Sequence, residues 1–174
     1  MTGASRAAAS FLRGPLDAVD FKPYDVHFEE EELMSPDAPQ PYGSPIALEA
    51  AKKVAGPALS EALKNNWAMA VAVVDTAGDL VYFERMDATQ VGSVIVAVDK
   101  ARSAARFKRP TKAFQDMLTS GGDGLRVFRI KGAVPVEGGV PIVIDGKIVG
   151  AIGVSGGTSP QDGQCARAGA NAIG

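Results

Sequence analysis

Apolar residues along the chain change period several times, and each change marks an element. From Leu48 they recur at threes and fours: Leu48, Ala51, Val54, Ala55, Ala58, Leu59, Ala62 and Leu63. That period predicts an amphipathic helix, kinked at Gly56-Pro57 and ended by Asn65-Asn66. Ala70 to Thr76 is a short valine-rich run, which predicts a buried strand. Thr76-Ala77-Gly78-Asp79 reads as a turn. Leu80 to Met86 is its hairpin partner, with Leu80, Tyr82 and Glu84 on one face and Val81, Phe83 and Arg85 on the other. Ser93 opens a second helix with Val94, Val98, Ala101 and Ala105 on its apolar stripe. Pro110 breaks it, and Thr111 to Leu118 predicts a third. Gly121, Gly122 and Gly124 form a loop, and Val127 to Ile130 a brief strand. Val134 to Val136 then leads into a late hairpin.

That hairpin spans Glu137 to Gly157. Val140, Ile142 and Ile144 alternate, Asp145-Gly146 has the residue types of a two-residue turn, and a strand follows from Lys147 to Val154. Ser159 is the expected N-cap of a last helix, with Pro160 at its first position and Asp162 closing a capping box. Two hairpins separated by helices predict an α+β fold, an antiparallel sheet with helices packed on it. The chain lacks the regular strand-helix alternation of a doubly wound parallel sheet.

Residues 1–45 differ. They hold six of the eleven prolines, the acidic run Glu29 to Glu32 and the single histidine, His27. They are expected to form an arm outside a domain of residues 46–174. The net charge of −2 gives no bulk attraction to nucleic acid, and no apolar run approaches the roughly 20 residues of a membrane span. A single cysteine, Cys165, excludes an internal disulfide. The N-terminal stretch makes a poor signal peptide, and a cytoplasmic setting is expected.

Candidate chemistry is sparse. A serine hydrolase triad would need His27. Gly153 to Gly157 lacks the spacing of a phosphate-binding loop, and a tight strand-to-helix turn explains its glycines. Six of the eighteen basic residues lie between Lys100 and Lys112. On the second helix Arg102 falls only about 40° from the Val98 direction. Arg102, Arg106 and Arg109 therefore flank the apolar stripe, while Lys100 and Ser103 are expected to point elsewhere. Arginines beside an apolar stripe suit a pocket for an apolar body bearing carboxylates, or a subunit interface. Phe83 and Arg85, which share a strand face, join them as ligand-binding candidates.

Several segments together resemble a known family. They are Ala72 to Gly78, Arg85-Met86-Asp87, Lys100 to Ala104, Arg109 to Phe114, Val136 to Pro141, Gly150 to Gly156 and Gln161 to Ala166. In this order they are similar to the GlcG/HbpS family of haem-degrading domains, which includes the C-terminal domains of PduO-type proteins. The resemblance covers residues 45 to 174. It implies a profilin-like sandwich, homo-oligomers and, in some members, a haem cofactor. It further implies an iron contact at a threonine following proline at a helix start, matched by Thr111, or at a histidine, for which His27 is the one counterpart. Two functions are then expected. The first is haem or tetrapyrrole binding, with Arg102, Arg106 and Arg109 on the propionates. The alternative is a cofactor-independent enzyme acting on an organic acid or aromatic metabolite, with Glu137 or Asp162 moving a proton.

Overall fold

The computed structural model describes residues 40–173. Its elements are α1 (Leu48–Lys64), β1 (Ala70–Asp75), β2 (Leu80–Arg85), α2 (Ser93–Phe107) and α3 (Thr111–Thr119). A 3-10 segment (Gly122–Arg129) follows, then β3 (Gly139–Ile144), β4 (Lys147–Ser155) and α4 (Ser159–Ala170). The strands form one antiparallel sheet in the order β2-β1-β4-β3. The expected α+β architecture is therefore present. The expected strand at Val127 to Ile130 is instead helical, its turns closed locally.

Strand alternation sorts the core into two layers. Val71, Val73, Ile152 and Val154 face α1 and α4, where they meet Val54, Ala58, Cys165 and Ala166. Ala70, Ala72, Val74 and Ala151 face α2, where they meet Ala97, Ala101, Ala104 and Ala105. The second layer is thin. A Cβ on Gly153 would lie 2.0 Å from the Ala97 carbonyl, and one on Gly139 would lie 2.3 Å from the Lys100 carbonyl. Backbone thus touches backbone where α2 crosses β3 and β4, and only glycine fits there.

That closeness sets the rotation of α2. Its buried residues are Ser93, Ala97, Lys100, Ala101, Ser103, Ala104 and Ala105. The valines expected on the stripe, Val94 and Val98, are displaced to its flank, because α2 meets the sheet at close range through its alanines. The same rotation carries Lys100 inward, contrary to expectation.

The turns follow their residue types. Asp145 and Gly146 have φ of 50° and 71°, as the hairpin requires. In the β1–β2 turn the Asp75 carboxylate accepts the N–H groups of Ala77 and Asp79. A register shift at Val73/Val74 leaves Val81 as an extra residue, so Val81 and Tyr82 both pack on the α1 layer and strict alternation fails there. α1 runs unbroken through Gly56 and Pro57. Before it, Gly43 and Ile46 donate to Ile148 and Val149, so this stretch lies along the start of β4.

Candidate functional site

The capping of α4 differs from expectation. Thr158 is the N-cap and Gln161 closes the box, while Ser159 and Pro160 begin the helix. Asp162 is thereby released from capping and turned inward. One of its oxygens accepts the Gly157 N–H at 2.9 Å, and the other accepts Lys100 Nζ at 2.6 Å. Lys100 Nζ also donates to the Val154 carbonyl at 3.1 Å. Both side chains are buried, at 1% and 4% exposure. Burial holds the Lys100 amine below the ordinary lysine range and the Asp162 carboxyl above the ordinary carboxylate range, each shift opposed by the partner. This ion pair ties α2, β4 and α4 together.

Beside it lies Glu137. Its N–H donates to the Gln115 side chain, and its carboxylate accepts Arg167 Nη1 at 2.6 Å. The Glu137 side chain is 8% exposed and that of Arg167 51%. Two glycines permit this arrangement. Gly138, at φ 129°, leaves no room for a Cβ beside Lys100 Nζ, and a Cβ on Gly163 would strike the Glu137 carboxylate at 2.2 Å. Arg167 then reaches a cleft of about 460 Å³ lined by Pro110, Lys112, Ala113, Asp116, Val140 and Asn171. Lys112 pairs with Asp116 at 2.7 Å on its rim.

Thr111, the first residue of α3, has no exposed surface, and its hydroxyl accepts the Gly139 N–H at 2.9 Å. Arg109 lies over the Phe114 ring. Arg102 and Arg106 line a different cleft, with Asp99, Gly132 and Val134. Phe83 packs on the α2 layer, and Arg85 is exposed at the end of β2. The structure therefore brings Glu137 and Asp162 to one region and Arg102 and Arg106 to another. His27 lies outside the described residues. Sequence reasoning missed Lys100, Lys112 and Arg167. Lys100 was detectable: it sits three after Ala97 and four before Ala104, inside a stripe of small residues. Arg167 left only a weak trace, as a cation within an otherwise small-residue helix.

The family model described as "Haem degrading protein HbpS-like" matches residues 46–171. The chain belongs to the HbpS-like family. This HbpS-like chain is 40% identical over 95 residues to Protein GlcG of Escherichia coli K12, covering 55% of the chain and 69% of that protein. It is similar to a double mutant of HbpS from Streptomyces reticuli, with TM-score 0.69, 33% identity, and coverage of 76% of this chain and 89% of that one. A structure titled as a PduOC:heme complex gives TM-score 0.66 at 25% identity, covering 74% of this chain and 95% of the other. Among the described residues of the HbpS-like chain, no group of three or more His, Cys, Asp or Glu could hold a metal ion. No described helix is long and apolar enough to cross a membrane.

Proposed function

We propose that this chain binds haem or a related tetrapyrrole in the cleft between α3 and α4. The observation that carries the reading is the cleft's composition: apolar Pro110, Ala113 and Val140 beside two cations, Lys112 and Arg167, with the one acid, Asp116, paired to Lys112. Such a site takes a flat apolar body and meets its carboxylates at the rim. The family description and the related PduOC:heme complex support the same ligand class.

The fit is to the porphyrin's face and propionates. Among the described residues it does not extend to the iron, because the Thr111 hydroxyl is enclosed and engaged with Gly139, and no described His, Cys, Met or Tyr lines the cleft. Binding then rests on apolar burial and charge, and metal-free protoporphyrin should bind about as well as hemin. Hemin titration should give a Soret shift that saturates, and Lys112→Glu should raise Kd by about tenfold, or 1.4 kcal/mol. A featureless, non-saturating titration would retire the reading.

A second reading rests on Glu137 and Arg167. A half-exposed arginine 2.6 Å from a nearly buried carboxylate, beside an open cleft, suits a cofactor-independent enzyme for an organic acid, with Arg167 orienting the substrate and Glu137 moving a proton. Asp162 is less suited, since both its oxygens already accept hydrogen bonds. In this reading Glu137→Gln abolishes turnover while leaving hemin binding unchanged.

Self-association belongs to the same proposal. Among the described residues Val91 (79% exposed), Ile95 and Phe128 (69%) are uncovered apolar side chains, which suits a homo-oligomer.

A further inference from the structure

We propose a second small-molecule site, in the cleft of about 320 Å³ lined by Asp99, Arg102, Arg106, Gly132 and Val134. It shares no lining residue with the α3–α4 cleft. Its ligand is a small molecule with one carboxylate or phosphate group at one end and a hydroxyl or ammonium donor at the other.

The argument starts from α2. Arg102 and Arg106 are four residues apart, so they leave the helix from one face. Each is anchored through Nε to the β1–β2 turn: Arg102 donates to the Gly78 carbonyl at 3.1 Å and Arg106 to the Ala77 carbonyl at 2.9 Å. The turn is shaped for this. Asp75 fixes it from within through the Ala77 and Asp79 N–H groups. Gly78 holds φ 89°, and a Cβ there would stand 2.8 Å from Arg106 Nε. A side chain on Gly78 would push the guanidinium away.

Tethering through Nε fixes each guanidinium and leaves its Nη atoms for a ligand. Among the described residues no acceptor is bonded to the Nη atoms of either arginine. Arginine stays protonated at any physiological pH, and its fork matches carboxylate and phosphate oxygens. Two forks fixed in advance lose less side-chain entropy on binding than two free ones. The opposite wall is also fixed, because the Val134 N–H donates to Ser103 Oγ at 3.1 Å. Asp99 sets the polarity of the cleft. Its carboxylate accepts a hydroxyl or ammonium hydrogen and repels a second anionic group. A ligand anionic at both ends is therefore disfavoured.

The test is a titration of the full-length protein at low ionic strength, followed by ¹H–¹⁵N spectra. The probes are glycerol 3-phosphate, 3-hydroxybutyrate and succinate; the first two separate phosphate from carboxylate, and succinate carries an anion at each end. The N–H signals of Ala77, Gly78, Gly132 and Val134 should shift saturably with one of the first two, and at least tenfold less tightly with succinate. Arg102→Gln should raise that Kd about tenfold. Lys53→Gln, which removes one charge from α1 on the other side of the sheet, should leave it within about twofold. The wild-type shifts test the site even if the arginine variant folds poorly. The proposal is overturned if neither probe moves those signals at about 20 mM, if Lys53→Gln weakens binding as much as Arg102→Gln, or if succinate binds as tightly as the others. Hemin affinity is measured in parallel, and the Lys112 cleft can fail or pass independently.

Discussion

Lys100 and Asp162 are each tolerable only because of the other. Removing one partner of a buried pair leaves an uncompensated charge, at a cost of about 3–5 kcal/mol. Asp162→Asn should therefore lower unfolding stability by that order in urea, and Lys100→Met with Asp162→Leu should recover most of it. The pH dependence of the single variant follows from the sign of the lysine shift. Lys100 is held below its ordinary value of 10.5, and loss of the carboxylate depresses it further. The unfolded chain then binds more protons than the folded one, so stability should rise as pH increases toward 10.5 and fall as pH drops through the depressed value. A variant whose stability does not rise anywhere between pH 6 and pH 10.5 would contradict this. Cys165 offers a simpler check. Burial raises its thiol to about 11. Native protein should react with a thiol reagent at pH 8 at least about a hundredfold more slowly than protein in denaturant. Fast reaction in the native state would mean the core opens there.

At the scale of elements, the decisive contact is α2 lying directly on β3 and β4. Gly153→Ala would drive a methyl into the Ala97 carbonyl and should cost at least about 2 kcal/mol. Gly56→Ala, in α1 with nothing within 4 Å of the added methyl, should instead gain about 0.5–1 kcal/mol. Denaturant midpoints moving in the same direction for both would refute the packing argument. The same contact explains how far the sequence could be read. Periodicity located α1, both hairpins and the start of α3 at Thr111, because those elements obey their own local patterns. It misjudges the face of α2, because valine is the usual core residue whereas this close contact is made mostly by alanines. Lys100 was lost with that face. The cap of α4 slipped by one residue because Thr158 and Ser159 are both good caps, and Gln161 decides between them through its bond to the Thr158 N–H. Glu137 is legible as an acid before a glycine pair and Asp162 as an acid in the first turn of a helix, but their cations come from α4 and α2. Such pairings across 62 and 30 residues leave no local signal.

For the whole molecule, uncovered apolar side chains on α2 and the 3-10 segment carry the expectation of assembly. Phe128→Asp should reduce the mass seen by light scattering at micromolar concentration while leaving the circular dichroism spectrum intact. An 18 kDa species for the unaltered chain would remove the premise.

The strand order has a consequence for synthesis. β1 needs β4 on its inner edge, and Val71 pairs with Val154, so the centre of the sheet joins two parts of the chain made far apart in time. At about 5–20 residues per second, β1 and β2 leave the ribosome several seconds before β4 exists. During that interval the β1–β2 hairpin holds an open hydrogen-bonding edge beside a row of valines, the kind of surface that recruits other chains. The vulnerable period for this protein is therefore the synthesis of residues 86–155, and agents that slow elongation there should increase aggregation without altering the finished fold.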